Sequence, residues 1–278
     1  MTLRPIKHLP LGFNATTPTL NCMPSWDSTQ YLRFADERTR PCRDLINRIS
    51  LPNPQRIIDL GCGPGNSTAA LIERWPQAEI EGLDSSPEMI ATAQKTHPAQ
   101  RWTTGDIATW TAATPYDLVF SNAALQWVPD HSTVLPHLLQ QVAPGGALAL
   151  QVPFNLDAPA HRLMRELSES AAWQSHFPRQ PREWFVHEPA FYYDILNPWA
   201  KRLDLWKTEY LHLLENTRAI VEWYKGTGLR PFLDALSPTE QTRFLTDYET
   251  LLTAAYPLQA DGRVLFPFLR FFLIAYRS

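Results

Sequence analysis

From about residue 45 onward, short apolar runs alternate with segments that have the spacing of an amphipathic helix. The first run, RIIDLG (56–61), ends in Asp and Gly, as a buried strand of a parallel sheet often does. NSTAALIERW (66–75) follows with helical spacing, and Asn66 or Ser67 is its predicted N-cap. The alternation continues with strands at 79–84, 101–106, 116–122 and 147–153, a helix at 85–95 capped by Ser85 or Ser86, and a helix at 131–142 ended by APGG. This order implies right-handed crossovers, so we predict an α/β, doubly wound, Rossmann-like sheet with helices on both faces.

Two long apolar segments near the C-terminus extend the sheet. KRLDLWKTEYLHLL (201–214) and RVLFPFLRFFLIAYR (263–277) are predicted as an antiparallel edge pair, which brings a mostly parallel sheet to seven strands. Residues 154–200 are rich in aromatic side chains and are predicted as an inserted helical cap over the ligand crevice. Residues 215–257 are predicted as a second helical insertion, between the last two strands.

The N-terminal segment has a different composition from the rest of the chain. Residues 1–25 contain four prolines, no acid and no sustained periodicity. They also lack the continuous apolar stretch of a secretory signal, and their two basic residues are few for an organellar transit peptide. We expect a disordered extension, or an upstream extension with Met23 as the natural start. A single domain is therefore predicted over 26–278, with its core at 45–153.

Composition excludes several classes of function. The 278 residues carry 25 Lys and Arg against 28 Asp and Glu, and a net charge of −3 gives no footprint for nucleic acid or an anionic membrane. The longest apolar run, 266–276, is interrupted by Arg270 and is too short to span a bilayer, so we expect a soluble, cytoplasmic protein. Cys22, Cys42 and Cys62 form no disulfide framework, and no Cys/His cluster has metal-ligand spacing. We therefore expect a reducing compartment and no metal.

The stretch DLGCGPGNST (59–68) carries the most specific chemistry. Gly61, Gly63 and Gly65 form G-x-G-x-G, and because position 66 is Asn, the G-x-G-x-x-G dinucleotide fingerprint is absent. No lysine follows the glycines, which excludes a P-loop. The pattern favours a ligand that contains adenosine but no phosphate. S-adenosylmethionine fits, because glycines let the backbone approach its amino-acid tail and ribose.

Acidic and amide side chains stand at the predicted carboxyl ends of four strands, where open α/β sheets bind their ligands. They are Asp59, Asp84, Asp106 and Asn122. Asp84 is placed to accept hydrogen bonds from both ribose hydroxyls, and Asp106 to bind the adenine amino group. Capping of turns is the alternative role for these two acids. Together with the glycine loop, the four residues predict a nucleoside-binding crevice.

The glycine stretch resembles the first motif of the class I S-adenosylmethionine-dependent methyltransferases. Seven further segments, in order, resemble the trans-aconitate methyltransferases and cover nearly everything after Ser25: 26–41, 82–93, 121–131, 152–166, 191–196, 227–237 and 256–277. The resemblance implies that a carboxylate of a small polycarboxylic acid, trans-aconitate above all, is converted to its methyl ester, with S-adenosylhomocysteine as the second product. The segment 224–226 departs from the family's usual residues, and Lys225 adds a positive charge there, which leaves a different acid open.

The chemistry that the resemblance implies needs no general base, because a carboxylate with a pKa near ~4 is already ionised at neutral pH. We therefore assign no catalytic residue. The helix predicted at 31–38 is expected to fold over the cofactor, with Tyr31, Phe34 and Arg38 as its candidate lid. The predicted cofactor-binding residues are Arg38, Asp59, Gly61, Gly63, Gly65, Asn66, Asp84, Ser85, Met89, Asp106, Ile107 and Asn122.

A polycarboxylate also needs donors for the carboxylates that do not react, and the planar fork of arginine suits them. The resemblance carries six predicted substrate-binding residues: Gln126, Trp127, His161, Arg165, Tyr193 and Arg230. Each has a simpler alternative. Trp127 would serve as core packing, His161 as a surface histidine, and any single arginine at 162–182 as part of a solvated helix face.

Three functional alternatives remain open. A methyltransferase could act on another acceptor, such as a malonyl group on a carrier protein, although the charge balance shows no basic surface for that partner. An NAD-dependent oxidoreductase is disfavoured by Asn66 and by the absence of a Tyr-x-x-x-Lys pair. A catalytically inactive nucleoside-binding module would keep the same motifs. The sequence does not address the oligomeric state.

Overall fold

A computed structural model describes residues 35–179 and 184–278, with side chains from residue 39 onward. Seven strands form one sheet: β1 (Arg56–Leu60), β2 (Glu79–Asp84), β3 (Arg101–Thr104), β4 (Tyr116–Asn122), β5 (Val142–Pro153), β6 (Ala200–Leu214) and β7 (Val264–Arg277). Their order is β3-β2-β1-β4-β5-β7-β6. The first five strands are parallel, and β7 runs antiparallel to both β5 and β6. The predicted fold class and the antiparallel edge pair are confirmed.

Helices cover both faces of this sheet. They are α1 (Ala35–Arg48), α2 (Asn66–Arg74), α3 (Pro87–Thr96), α4 (His131–Gln140), α5 (Pro159–Glu169), α6 (Pro189–Leu196), α7 (Thr217–Lys225), α8 (Arg230–Leu233) and α9 (Pro238–Ala255). Helices α5 and α6 lie between β5 and β6, and α7 to α9 lie between β6 and β7. Within residues 35–179 and 184–278, no helix has the length and apolar character needed to cross a membrane.

Three apolar clusters hold these layers together. One face of the sheet packs against α4 and α6, and the other against α1 and α2. The third cluster joins α5 and α7 to α9 to the amino-terminal part of β7, through buried rings such as Trp173, Phe244 and Phe266. The two insertions therefore share one core, which rests on the end of the sheet where the parallel strands terminate.

The structure corrects several predicted boundaries. The helix predicted at 131–142 ends at Gln140, and APGG begins β5 instead. Glycine is needed there because a Cβ at Gly146 would lie 2.5 Å from the carbonyl oxygen of Asp117 on β4. The third strand ends at Thr104, before the predicted limit at 106.

Of the predicted helix caps, one is wrong and one is confirmed. The N-cap of α2 is Gly65, and neither Asn66 nor Ser67 caps it. Helix α3 is capped by Ser86, whose hydroxyl accepts from the main-chain nitrogen of Met89, as one of the two alternatives predicted. Helix α1 continues through Pro41 to Arg48, beyond the helix predicted at 31–38. The predicted extension at 1–25 and the lid residues Tyr31 and Phe34 lie outside the described residues.

Candidate active site

A cavity of about 330 Å³ opens at the carboxyl ends of β1, β2 and β4. Ten predicted residues line it: Gly61, Gly63, Asn66, Asp84, Ser85, Met89, Asp106, Ile107, Asn122 and Trp127. Seven other predicted residues do not: Asp59, Gly65, Gln126, His161, Arg165, Tyr193 and Arg230. The side chain of Arg38 is outside the described part of α1. Nine of the ten predicted residues that line the cavity are therefore ones assigned to the cofactor, and Trp127 is the one assigned to the substrate.

The loop after β1 forms the floor of the cavity with almost no side chains. The main-chain nitrogen of Gly61 donates to the oxygen of Leu83 at 2.7 Å, which ties the loop to β2. A Cβ at Gly61 would lie 2.1 Å from the Cβ of Ala124, so only glycine lets the loops after β1 and β4 touch. Gly63 has φ +53, and no described atom lies within 4 Å of its Cβ position. Gly63 also lines the cavity, so the backbone there has room for a ligand.

The amino terminus of α2 presents main-chain N–H groups that no capping side chain uses. The N-cap Gly65 has φ 99 and makes no side-chain hydrogen bond. The hydroxyls of Ser67 and Thr68 both donate backward to Asp59 Oδ2, at 2.7 Å each. The positive end of the helix dipole is therefore available to a negatively charged group in the cavity, such as the carboxylate of an amino-acid tail.

Asp59 was predicted as a cofactor ligand, but it lies fully buried beneath the loop. Burial raises the pKa of its carboxyl to about 6, and the hydroxyls of Ser67 and Thr68 oppose that rise. The carboxylate thus holds α2 against β1 and acts on the cavity only through the position of the loop. Gly65 also lies behind the cavity, where its Cβ position is 3.0 Å from His97 and 3.1 Å from Trp102.

Two acids at strand ends do reach the cavity. Asp84 Oδ2 accepts from the nitrogen of Gly63 and Oδ1 from the nitrogen of Ser86, each at 2.9 Å. Burial raises the pKa of Asp84, while these main-chain donors lower it. An ionised carboxylate has about four acceptor positions, so these donors do not saturate it and it can still accept from a ligand. Asp106 Oδ1 accepts from the nitrogen of Ala108 at 2.9 Å, which fixes the second acid at the cavity rim.

The turn after β4 closes the cavity from the other side. Ala123 has φ 55, a left-handed conformation that costs a non-glycine residue about 1–2 kcal/mol. The oxygen of Leu125 bonds to Nε2 of His131 at 2.9 Å, and the other ring nitrogen of His131 lies 3.0 Å from the hydroxyl of Tyr192. Burial lowers the pKa of His131, so its ring stays neutral. This buried network fixes the turn that carries Trp127.

Gln126 is buried beside that turn and does not face the cavity. Its Nε2 donates to the oxygen of Ala123 at 2.7 Å, and its main-chain oxygen accepts from Phe185 at 2.8 Å. Its Oε1 has no hydrogen-bond partner among the described residues. Gln126 therefore joins the turn after β4 to the segment that begins at Trp184.

The cap meets the cavity through a row of aromatic rings. The Trp127 ring, in the cavity wall, makes an edge contact with Trp184 at 6.4 Å between centroids. His161 stands between Trp184 and Tyr224, at 4.5 and 4.9 Å. Asn155 Nδ2 donates to the hydroxyl of Tyr224 at 3.1 Å. The predicted residues Trp127 and His161 are thus brought into one row, although His161 is fully buried rather than at the surface.

The remaining predicted substrate residues are more widely spread. Arg165 follows His161 by one turn of α5 and is partly buried. Arg230 begins the short helix α8, with Nε 3.9 Å from Asp234 Oδ2. Tyr193 is 49% exposed on α6, whereas its neighbour Tyr192 is buried against His131. The structure gives Tyr193 no place in the cavity wall or in the row of rings.

Several residues of the site escaped the sequence analysis. Thr39 and Cys42 on α1, together with Cys62, line the cavity. Burial raises the pKa of both thiols, so neither is an activated nucleophile. Position 62 lies inside the glycine motif, and helical spacing alone would have placed residues 39 and 42 on one face of α1. Trp184 and Asn155 had no local signal, because packing across the cap places them.

Known proteins with the same architecture define the class of the molecule. A sequence profile described as a methyltransferase domain matches residues 34–193. The crystal structure of the YcgJ protein from Bacillus superposes with a TM-score of 0.56 at 12% identity, covering 86% of this chain and 99% of that one. The fold and the sequence profile therefore identify a methyltransferase of the Rossmann-like class, which depends on S-adenosylmethionine.

Closer relatives narrow this class to one family. The trans-aconitate 2-methyltransferase of an Azoarcus species is 50% identical over 92% of this chain and 100% of its own length. The enzyme of that name from Streptomyces avermitilis is 48% identical over 92% of this chain and 98% of its own length. The chain belongs to the trans-aconitate 2-methyltransferase family. This membership argues against the dinucleotide-dependent oxidoreductase.

Proposed function

We propose that this protein transfers the methyl group of S-adenosylmethionine to a carboxylate of trans-aconitate and releases a methyl ester and S-adenosylhomocysteine. The observation that carries the proposal is the match to the trans-aconitate 2-methyltransferases, which extends over nearly the full length of both chains. The cavity supports it, because nine of the residues assigned to the cofactor from the sequence line it.

The described residues fit the methyl donor. Gly63 leaves space against the backbone, and the uncapped start of α2 suits the carboxylate of an amino-acid tail. Asp84 has acceptor positions left for ribose hydroxyls, and Met89 and Ile107 supply buried apolar surface for the adenine ring. When bound, the donor supplies a methyl group on a cationic sulfur. These five contacts are proposals that mutation can test one by one.

The acceptor needs orientation more than proton transfer. A carboxylate is ionised at neutral pH, so the protein has to hold it in line and exclude water, and orientation is worth about 7–11 kcal/mol in favourable cases. Trp127 and the ring row behind it form an apolar wall next to the cavity. We assign the binding of the non-reacting carboxylates to donors of the two insertions, with Arg165 of the cap and Arg230 of the second insertion as the arginines.

Lys225 does not argue for a different acid. Its Nζ lies 3.3 Å from Glu222 Oε1 on the same helix, and Glu222 also lies 3.5 Å from Arg218. The side chain of Lys225 is therefore engaged by an acid of its own helix, while Arg218 is also paired with Glu249 of α9 at 2.7 Å, and Lys225 does not line the cavity.

The first experiment is the transfer of a labelled methyl group from S-adenosylmethionine to a panel of acceptors. The panel contains trans-aconitate, cis-aconitate, citrate, isocitrate and a malonyl-carrier-protein conjugate, and each product is tested for loss of label in base. We expect base-labile label on trans-aconitate, with weaker transfer to the other acids. Label on the carrier conjugate alone, or on no acid despite intact cofactor binding, would refute the proposed acceptor.

We also propose the cytoplasm as the working compartment. Among the described residues, Cys42 and Cys62 are free and buried, as expected of a protein that matures under reducing conditions. Fractionation of cells that express the full chain would test this, and recovery with secreted or membrane fractions would contradict it.

A further inference from the structure

Three polar side chains form a line through the sheet, from the cavity into the interior. Arg270 on β7 donates through Nη1 to Gln151 Oε1 on β5 at 2.9 Å. Gln151 Nε2 donates to Asn122 Oδ1 at the end of β4, also at 2.9 Å. Gln151 is 1% exposed and Arg270 is 4% exposed, whereas Asn122 is partly exposed and lines the cavity. We call these three residues the Arg270 relay.

Arg270 is a charged side chain that is buried inside the protein, which is energetically unfavourable and therefore calls for a specific role. It pairs in register with Pro153 on β5 and with Thr208 on β6, where the third apolar cluster meets the sheet. Its guanidinium lies 4.7 Å from the centroid of Phe268. Burying a charged group in apolar surroundings is unfavourable unless its hydrogen bonds are made, so a purely apolar side chain would serve packing better at this position.

The chemistry of arginine fixes the direction of every bond in the relay. A guanidinium only donates, so the amide atom of Gln151 that faces it must be the oxygen. The amide nitrogen of Gln151 then faces Asn122, whose contacting atom must in turn be its oxygen. Side-chain amides can otherwise point either way. With Arg270 at the end of the line, the NH2 group is the end of the Asn122 amide that Gln151 does not contact.

We propose that Arg270 and Gln151 are positioning residues that hold the Asn122 amide so that it donates into the cavity, to a carboxylate oxygen of a bound ligand. This rests on the proposed function, in which both the cofactor tail and the acceptor carry carboxylates. The main chain supports the same geometry, because the nitrogen of Ala123 donates to the oxygen of Gln151 at 2.8 Å. Neither Gln151 nor Arg270 touches the cavity, so neither is a catalytic residue.

The substitution Gln151→Glu tests the direction of the relay. A carboxylate at this position keeps the shape and pairs with Arg270, so we expect a melting temperature equal to that of the wild type or higher. The new carboxylate cannot donate to Asn122, which must turn its NH2 toward β5 and its oxygen toward the cavity. We expect a loss of at least about tenfold in affinity for one carboxylate ligand, the scale of a lost charged hydrogen bond. A purely structural role predicts a stable and fully active variant.

Two ligand measurements identify which carboxylate the amide holds. Calorimetry with S-adenosylhomocysteine reports the cofactor tail, and KM for the acceptor at saturating cofactor reports the substrate. Asn122→Asp leaves the oxygen that Gln151 contacts, but it removes the NH2 donor and adds a negative charge at the cavity, so it should weaken the same ligand as Gln151→Glu. Gln55→Glu makes the same change of charge on an exposed loop and is the matched control.

The outcomes separate this proposal from the proposed function. The relay is supported if Gln151→Glu and Asn122→Asp both lose affinity for the same one ligand and Gln55→Glu does not. Wild-type values for Asn122→Asp, or equal losses in both ligands, overturn it, and Asn122→Asp decides alone if Gln151→Glu does not fold. Failure of the wild-type chain to methylate trans-aconitate would refute the acceptor, but the binding of S-adenosylhomocysteine would still be measurable.

Discussion

The half of the molecule around β1 to β4 and the half formed by the two insertions are built by different means. In the first half, main-chain atoms and short side chains from neighbouring residues shape the cavity, as at Gly61 and Gly63. In the two insertions, three rings meet across long stretches of chain: His161 on α5, Trp184, and Tyr224 on α7. We infer that cofactor recognition depends on local backbone shape and acceptor recognition on long-range packing. Substitutions should therefore separate the two.

The largest effect is expected from Gly61→Ala. The new Cβ would lie 2.1 Å from that of Ala124 in a backbone with φ +74. Overpacking costs about 1–3 kcal/mol and a left-handed alanine adds about 1–2 kcal/mol. We expect a large drop in melting temperature and loss of measurable S-adenosylhomocysteine binding by calorimetry.

The matched controls for this change are Gly63→Ala and Gly145→Ala. Both positions have positive φ, with no described atom within 4 Å of the added Cβ, but only Gly63 faces the cavity. Gly145→Ala should show the conformational cost alone, about 1–2 kcal/mol, with cofactor affinity retained. If Gly61→Ala were no worse than Gly145→Ala, contact between the two loops would not matter.

Asp84→Ala should weaken the binding of the cofactor and leave that of the acceptor unchanged. Removing a partly buried charged acceptor costs about 1–3 kcal/mol, so the Kd for S-adenosylhomocysteine should rise by roughly 5- to 150-fold. The KM for the acceptor at saturating cofactor should stay near the wild-type value. Glu88→Ala, an exposed acid on the following helix, is the control. Unchanged affinity in Asp84→Ala would refute the ribose assignment.

Arg230→Ala should produce the opposite pattern. Loss of one charged donor to a carboxylate is worth about 1.5–3 kcal/mol, so the KM for the acceptor should rise by at least about tenfold. The Kd for S-adenosylhomocysteine should remain within about twofold, since Arg230 does not line the cavity. Arg263→Ala removes an exposed arginine from the loop before β7 and serves as the control. If the affinities for both ligands fell together, Arg230 would be a structural residue.

The same contrast explains what the sequence could predict. The alternation of apolar runs predicted the fold class, and the glycines with Asp84, Asp106 and Asn122 predicted the cavity, because each signal lies within one short segment. Asp59 belongs to that motif, yet its carboxylate turns inward toward Ser67 and Thr68, which no local pattern distinguishes. The positions of residues in the two insertions were harder still to predict from the sequence.

In the two insertions, the position of each side chain depends on tertiary packing. Tyr193 was predicted to bind substrate, and it is its neighbour Tyr192 that is buried and joins the network of His131. The Arg270 relay had no sequence signal, because its members stand on three strands that become neighbours only in the folded sheet. Residues that contact each other across the sheet in this way are invisible to motif or periodicity arguments.

The smallest effect on ligand binding is expected from Asp59→Asn, although its effect on stability should depend on pH. Burial raises the folded-state pKa of Asp59 from 3.8 to about 6, so the folded protein binds an extra proton between those values. The contribution of Asp59 to stability is therefore largest below pH 4 and falls as pH rises toward 6. Asparagine does not titrate, and its oxygen can still accept from both hydroxyls. The free energy of unfolding should be measured in urea at pH 4.5 and at pH 7.5. Relative to the wild type, that of the variant should rise by about 1–3 kcal/mol from the lower to the higher pH. A stability difference that does not change with pH would mean that the Asp59 carboxylate titrates as it does in the unfolded chain.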